Sequence, residues 1–378
     1  SDVCSSDLVA YFSFDFNNTP ISFLTLGLFN FHDKNKFEIF GFSLNPQPAD
    51  QMQQEIKALC NHFYNVSHMT DIEVAQLSRN LKIDIAIDLN GHVNTGSRPG
   101  IFSYRAAPYQ INFLGNPGTT GSSYHDFIIA DEIVIPKQFQ KYYSEKVIYL
   151  PHSYFINSHA MYQFSPTFKS KEELGLPTNS FIFCCFNNSF KLNTEVFTAW
   201  MRILKKTPHS VVWLVKHNND FEKNLKKIAS EHHINPSRLI FTLRSHQADY
   251  YGWYSHANVF LDTFPYNAHT TGLDALWFNV PVITRLGDSF SSRVGASQLT
   301  SLNLKELICK TSSEYEQLAI ELALDKEKFS NIKSKLKTNK ISSHLFNAQH
   351  FTKSFEETLQ KILDKNRSEE HTSELQSH

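Results

Sequence analysis

Lys191, His269, Thr270, Thr271 and Asp274 are the residues whose types and spacing carry chemistry. The stretch VFLDTFPYNAHTTGLDALWFNVPVIT, residues 259–284, runs from an apolar strand through a polar turn into an amphipathic helix. Backbone N–H groups at such a helix start point outward without carbonyl partners and carry the positive end of the helix dipole. His269, Thr270 and Thr271 are therefore placed to hold a phosphate or diphosphate. Asp274 lies about one turn further on, where its carboxylate could accept hydrogen bonds from a sugar hydroxyl. The pattern also has a plainer meaning, because Thr271 followed three residues later by Asp274 is a capping-box-like helix start that needs no ligand.

Three further segments bear on that chemistry. Lys191 follows the apolar run FIFCCF through Asn187, Asn188 and Ser189 and precedes a helix, where the dipole disfavours a cation. A diphosphate leaving group needs such a charge, and a lysine supplies it without a metal; the competing reading is a solvated surface lysine. The turn LGNPGTTG, residues 114–121, could bring backbone close to a ligand, or serve as an ordinary strand-to-helix connector. DLNGHVNTGSRPG, after a strand at 83–89, sets His92 and Arg98 at one cleft edge. Histidine titrates near neutrality, but a lone one is more often structural.

The elements that must position these residues alternate between strand and helix. Apolar runs at 9–14, 37–42, 83–89, 109–114, 127–130 and 147–150 are separated by amphipathic or polar stretches, as in a parallel sheet. The alternation restarts with strands at 181–186, 211–215, 239–242, 259–261 and 282–284 and helices at 194–206, 221–232 and 271–278. An amphipathic stretch at 351–364 is a terminal helix that must dock somewhere. The fold expected is α/β, with two doubly wound Rossmann-like domains facing across a cleft and a ligand at the carboxyl ends of the strands. The boundaries are 9–156 for the first domain, 157–170 for a linker, 171–345 for the second domain and 346–366 for the terminal helix.

Both ends of the chain carry an unusual signature. SDVCSSDL at residues 1–8 and the RSEEHTS that opens the tail at 367–378 can be encoded by opposite strands of one DNA sequence, as read-through of a sequencing adapter would leave. Both segments are set aside as artefacts, like tags and fusion scars. Removing them leaves 35 basic and 32 acidic residues, so the net charge moves from −1 to +3. Neither value fits a nucleic-acid or membrane-surface protein. The remaining cysteines, Cys60, Cys184, Cys185 and Cys309, have no metal-ligand spacing and are expected as free thiols in a reducing compartment. The apolar stretch 21–31 is too short to span a bilayer. A soluble, cytoplasmic protein is expected.

The segments LGNPGTTG, YSEKVIYLP, FNNSFKL, LDTFPYNAHTTGLDALW, VPVIT and SSRVGASQL occur in this order and at separations that resemble the catalytic region of the O-linked N-acetylglucosamine transferase and SPINDLY family. The resemblance covers nearly all of 9–366. It implies a GT-B fold, with the last helix packing back on the first domain. It also implies inverting, metal-independent transfer of a sugar from a nucleotide diphosphate to Ser or Thr hydroxyls of proteins, with no cofactor besides the donor, most simply UDP-N-acetylglucosamine. By the resemblance Lys191, His269, Thr270 and Thr271 face the diphosphate, Asp274 the ribose, and Gly115 and Pro117 the donor sugar. Asn188 stands where the family often has Gln, and Arg98 and His92 line the acceptor side.

Two departures matter. FSFDFNNTPISFL resembles the family's Asp-Phe-x-x-His-Pro element with Thr19 at the histidine, and Thr cannot act as a general base near neutral pH. Base duty passes to His92, Asp15, water or the donor phosphate. In RSHQADYY the places usually held by a donor-binding Lys and a His near the base are Gln247 and Tyr250, the latter able to stack on a base. Members commonly carry tetratricopeptide repeats ahead of this region, so a fragment lacking them is expected. A protein O-glycosyltransferase is the favoured function. A sugar-nucleotide-binding relative without transferase activity is the alternative, followed by a nucleotide-sugar epimerase of the same fold.

Overall fold

The computed structural model describes residues 6–93, 96–243 and 246–376. Asn94 and Thr95 of the DLNGHVNTGSRPG segment, and Arg244 and Ser245 of RSHQADYY, lie outside the described residues. The chain divides into two compact units, Ser1–Met161 with His344–His378, and Tyr162–Ser343.

In the first unit the strands are β1 (Asp7–Ser13), β2 (Phe37–Ser43), β3 (His62–Asn65), β4 (Ile85–Asp88), β5 (Tyr109–Asn112), β6 (Phe127–Ala130) and β7 (Lys146–Tyr149). They form a parallel sheet in the order β3-β2-β1-β4-β5-β6-β7. Apolar runs at β1, β2 and β4 are almost wholly buried because helices cover both faces, as parallel sheets require. Strand β3, HFYN, is partly exposed at the sheet edge, which is why no apolar run announces it. β1 also takes in Asp7 and Leu8, in register with Phe37 and Glu38, so the sheet begins within the segment set aside as adapter-derived.

The terminal helix, Ala348–Gln376, packs on the helix Pro20–Phe31 of this same unit, as the resemblance implied. Gly27 permits the approach, since a Cβ there would lie 2.7 Å from the Cβ of Ala348. Phe355 and Leu359 are fully buried in the contact, each stabilising it by about 1.5–3 kcal/mol. His32 Nδ1 and the Glu356 carboxylate meet at 2.8 Å. The linker drawn at 157–170 begins too early: Asn157, Ser158 and His159 are buried in the first unit, with Asn157 Nδ2 donating to Leu345 O at 2.6 Å and Ser158 Oγ accepting from Gly27 N at 2.7 Å. Polar residues satisfied by backbone groups leave no apolar periodicity to announce their burial.

The second unit holds β8 (Phe181–Cys185), β9 (Ser210–Lys216), β10 (Leu239–Leu243), β11 (Val259–Leu261), β12 (Val282–Arg285) and β13 (Ile308–Cys309). Their order is β10-β9-β8-β11-β12-β13, again parallel. Trp200, Trp213 and Trp253 anchor its core. The two-residue β13 is too short for a sequence pattern to reveal. Cys184, Cys185 and Cys309 are buried free thiols, and burial pushes Cys185 and Cys309 up to about 12.

Each sheet has one place where successive connections leave in opposite directions. In the first unit it lies between β1 and β4, in the second between β8 and β11. Such switch points open a crevice at the carboxyl ends of the strands, the usual ligand position in open α/β sheets. Among the described residues no helix is long and apolar enough to cross a membrane.

Candidate functional site

The second unit's switch point is framed by the segment after β8, which carries Asn187 to Lys191, and the loop after β11, which leads through residues 262–269 into the helix Thr270–Trp277. Asp262 organises that loop. It is fully buried and accepts from the N–H groups of Thr263 at 2.8 Å and Ala268 at 2.7 Å and from the Thr284 hydroxyl at 2.6 Å. Burial pushes its carboxyl up to about 6, against these three donors and the charge of Lys191. A Cβ on Gly295 would come within 2.6 Å of Thr284 Oγ1 and 2.8 Å of Asp262 Oδ2, so the carboxylate needs glycine beside it.

Lys191 projects from a short 3-10 turn, Ser189–Lys191, into the same loop. Its Nζ donates to Asn267 O at 2.8 Å and lies 4.3 Å from the Tyr266 ring centroid. The ammonium is half-buried, and burial lowers its pKa from 10.5 to about 8, with Asp262 opposing the fall. A solvated surface lysine is therefore excluded at this position.

His269 precedes the helix with φ 56 and ψ −112, a left-handed conformation that strains a non-glycine residue. It makes no side-chain cap bond, leaving the first-turn N–H groups of Thr270 and Thr271 directed outward. The capping-box alternative for Thr271 and Asp274 fails: Thr271 Oγ1 donates instead to Asn187 Oδ1 and to Ala268 O at 3.0 Å. The His269 ring stacks on Tyr266 at 5.0 Å and donates through Nε2 to Ser291 O at 3.2 Å. Burial, then the charge of Lys191, holds it well below the usual imidazole range despite that carbonyl, so it stays neutral. One cation, one neutral imidazole and a helix start thus lie side by side along one loop. That combination suits an anion.

Asp274 is buried one turn into the helix and accepts from Tyr250 OH at 3.1 Å. Tyr250 is not positioned as a free stacking platform. Its ring packs among Phe186, Tyr251, Trp253 and Tyr254, and its hydroxyl also meets that of Tyr254. Burial, followed by the Asp274 charge, keeps the phenol protonated far above its usual range. Gln247 is exposed and donates to Tyr251 OH at 2.7 Å. Of the two asparagines after β8, Asn188 lies exposed, whereas the buried Asn187 joins the β8 end to Thr263 at 2.8 Å and to Thr271.

At the first unit's switch point, Asp15 follows β1 and Asn90 and His92 follow β4. Asn90 Nδ2 donates to the Asp15 carboxylate at 2.5 Å, while Thr19 Oγ1 donates to Asp15 O at 2.9 Å and caps the next helix. His92 Nε2 donates to Thr120 O at 3.0 Å, which in the neutral ring leaves the lone pair on Nδ1. Gly115 is the second residue of the Leu114–Gly121 turn, beside the end of β4; a Cβ there would meet Leu89 O at 2.0 Å, and Pro117 is half-buried two residues on. Arg98 does not join this group. Its guanidinium is taken up by Asp71 at 2.6 Å and by the carbonyls of Val66 and Met69, a buttress for the loop after β3.

Several supporting residues carried no signal in the sequence. Asp88 accepts from Asn90 N and Gly91 N, both at 2.9 Å, and meets His125 Nε2 at 3.1 Å. His125 Nδ1 lies 3.1 Å from Thr120 Oγ1, and Glu145 accepts from Thr120 N at 2.7 Å and from the Thr119 hydroxyl. Burial would raise Glu145, but the Thr119 and Thr120 bonds outweigh it and leave its carboxyl below the usual range. This buried chain fixes the carbonyl that orients His92. Asp262 and Asn187 were hinted at only by their places directly after buried strands, where a polar residue must pair with loop backbone.

The family model described as glycosyl transferase family 41 matches residues 5–169 and 163–355. A probable UDP-N-acetylglucosamine–peptide N-acetylglucosaminyltransferase SEC of Arabidopsis thaliana is 34% identical over 94% of this chain. A probable SPINDLY enzyme of Petunia hybrida is 27% identical over 94%. The chain spans only 37% and 38% of those two proteins' lengths. A solved structure of a mutant O-GlcNAc transferase from Thermobaculum terrenum superposes with TM-score 0.88 at 25% identity, over 96% of this chain and 68% of that one. Two parallel-sheet α/β units of GT-B type, with matches running along nearly the whole sequence, leave one assignment: the chain belongs to glycosyl transferase family 41.

Proposed function

We propose that the chain is the catalytic region of a protein O-glycosyltransferase that moves N-acetylglucosamine from its UDP donor to Ser or Thr hydroxyls, with inversion and without a metal. The observation that carries this is the half-buried Lys191 ammonium beside the unpaired start of the helix Thr270–Trp277, both at the second unit's switch point. A diphosphate fits that place: Lys191 neutralises its charge while the Thr270 and Thr271 amides receive its oxygens. Asp274 would take the ribose hydroxyls. In this reading the acceptor oxygen attacks the anomeric carbon in line, the bond from that carbon to the diphosphate oxygen breaks, and UDP leaves with the electron pair. His92 Nδ1 takes the acceptor proton, its ring held by the Thr120 carbonyl. Asp15, held by Asn90, is the second group able to accept it. Thr19 is excluded from that duty because its hydroxyl donates to Asp15 O and serves as a helix cap.

Donor and acceptor class are those by which the Arabidopsis and Petunia relatives are named. A cytoplasmic location belongs to this proposal too. A second reading, donor binding without transfer, is favoured by one observation: Thr19 stands at the family's histidine position, and its hydroxyl is engaged with Asp15 O as a helix cap. Calorimetric titration with UDP, GDP, UDP-N-acetylglucosamine and GDP-fucose, beside Lys191→Met, tests the site. Binding of the uridine series that depends on Lys191 is the expected result. Equal binding by Lys191→Met would refute the phosphate assignment, and a donor that binds but is neither transferred nor hydrolysed would select the second reading.

A further inference from the structure

Three histidines that play no part in the chemistry above meet in the first unit. His152 follows β7 and Pro151, His344 opens the short turn His344–Phe346, and His350 lies in the first turn of the terminal helix. The His152 and His344 rings stack with centroids 4.1 Å apart, and those of His344 and His350 are 4.0 Å apart. One nitrogen from each falls within 4.8 Å of the others. Among the described residues no hydrogen bond engages a ring nitrogen of any of the three. Ser153, Phe351 and Ser354 join them in lining one pocket.

We propose that His152, His344 and His350 form a binding site for a divalent transition metal, with zinc the best fit, that clips the terminal helix to the loop after β7. Imidazole is a borderline ligand that suits zinc, copper and nickel, and three histidines with an open fourth position make a complete set for zinc. Around a tetrahedral zinc with bonds of about 2.0–2.1 Å the ligand nitrogens stand roughly 3.4 Å apart. One nitrogen from each already lies within 4.8 Å of the others, and the side chains have room to close the remaining distance because His152 and His344 are exposed and His350 half-exposed. His152 is held at φ 68, a conformation that a non-glycine residue keeps only where its surroundings impose it, and one that turns its ring toward the other two. Binding would join segments nearly two hundred residues apart in sequence, at the point where the chain re-enters the first unit. The open coordination position is left to water or to a Ser hydroxyl.

The full chain, freed of metal by chelator, is titrated with zinc chloride by calorimetry and melted with and without zinc, beside His152→Ala, His350→Ala and the unrelated His233→Ala. The expected result is one zinc per wild-type chain, a higher melting temperature in zinc, and loss of both in the first two variants but not in the third. Cobalt in place of zinc should give the intense visible absorption of a four-coordinate site in the wild type, a readout that needs no variant. Failure of the wild type to bind zinc, or equal binding by His152→Ala and His350→Ala, overturns the proposal. These outcomes are independent of nucleotide binding.

Discussion

If Lys191 neutralises the donor diphosphate, donor affinity must follow the protonation of its ammonium. Burial sets that equilibrium at about 8 in the free protein. The cation outnumbers the neutral amine by about ten to one at pH 7 and is outnumbered to the same extent at pH 9. A diphosphate that binds only the charged form should therefore show a Kd about tenfold weaker at pH 9 than at pH 7, equivalent to about 1.4 kcal/mol. UDP-N-acetylglucosamine is the proper probe, because its diphosphate carries no proton that titrates in this range. The uracil ring begins to ionise near the top of it, and Lys191→Met provides the correction. Stability should show the reverse trend. The folded pKa lies below the unfolded 10.5, so the unfolded chain binds more protons between about pH 8 and 10.5, and stability from this group rises with pH across that window. The full difference corresponds to about 3 kcal/mol, reduced to about 2 for a half-buried group. Wild type should thus gain stability relative to Lys191→Met between pH 8 and 10, measured by urea unfolding, while losing donor affinity. A donor affinity that stays flat with pH for wild type, or weakens equally in Lys191→Met, would refute the role given to this lysine.

Asp262→Ala removes the acceptor for Thr263 N, Ala268 N and Thr284 Oγ1, and should destabilise the protein by about 3–5 kcal/mol in chemical unfolding, as breaking a buried charged network does. A loss under 1 kcal/mol would mean that the loop holds itself. Tyr250→Phe deletes the hydroxyl on Asp274; a stability loss of about 1 kcal/mol is expected, with donor affinity unchanged or improved because the carboxylate is released. A tenfold weaker Kd for that variant would instead place Tyr250 in contact with the donor. His92→Gln keeps a donor for Thr120 O but no base, so turnover should fall by about 10²–10⁴ while donor affinity holds; unchanged turnover would hand the proton to Asp15 or to the donor itself.

The sequence makes plain those parts of the fold that rest on repetition. Apolar runs buried on both faces announce β1, β2, β4, β8 and β9, because a parallel sheet excludes water from every side chain along them. Short or half-exposed strands such as β3 and β13 bury too little to leave a pattern. Site residues divide along a similar line. The placement of Lys191, Thr270 and Thr271 beside one strand-to-helix transition is legible, because the electrostatics of such a transition are fixed by backbone alone. Arg98 could not be placed, since a guanidinium six residues beyond a histidine says nothing about whether Asp71 will claim it first. Asp88, His125 and Glu145 lie 20 to 57 residues apart and act through one threonine, a relation that only tertiary contact creates.

Both units place their chemistry by the same device, and that determines which departures from the family pattern matter. At each switch point a buried acid following a central strand ties down loop backbone: Asp88 holds Asn90 N and Gly91 N, and Asp262 holds Thr263 N and Ala268 N. Each acid is nearly or fully buried and satisfied by donors, so each loop keeps its shape whatever stands at its tip. Thr19, Gln247 and Tyr250 lie outside these two braces. Their replacement can alter proton transfer or the surroundings of Asp274, but the helix start and Lys191 are positioned without them. It follows that donor binding should survive changes at Thr19 and be lost with changes at Asp262, even though neither residue is assigned a contact with the donor.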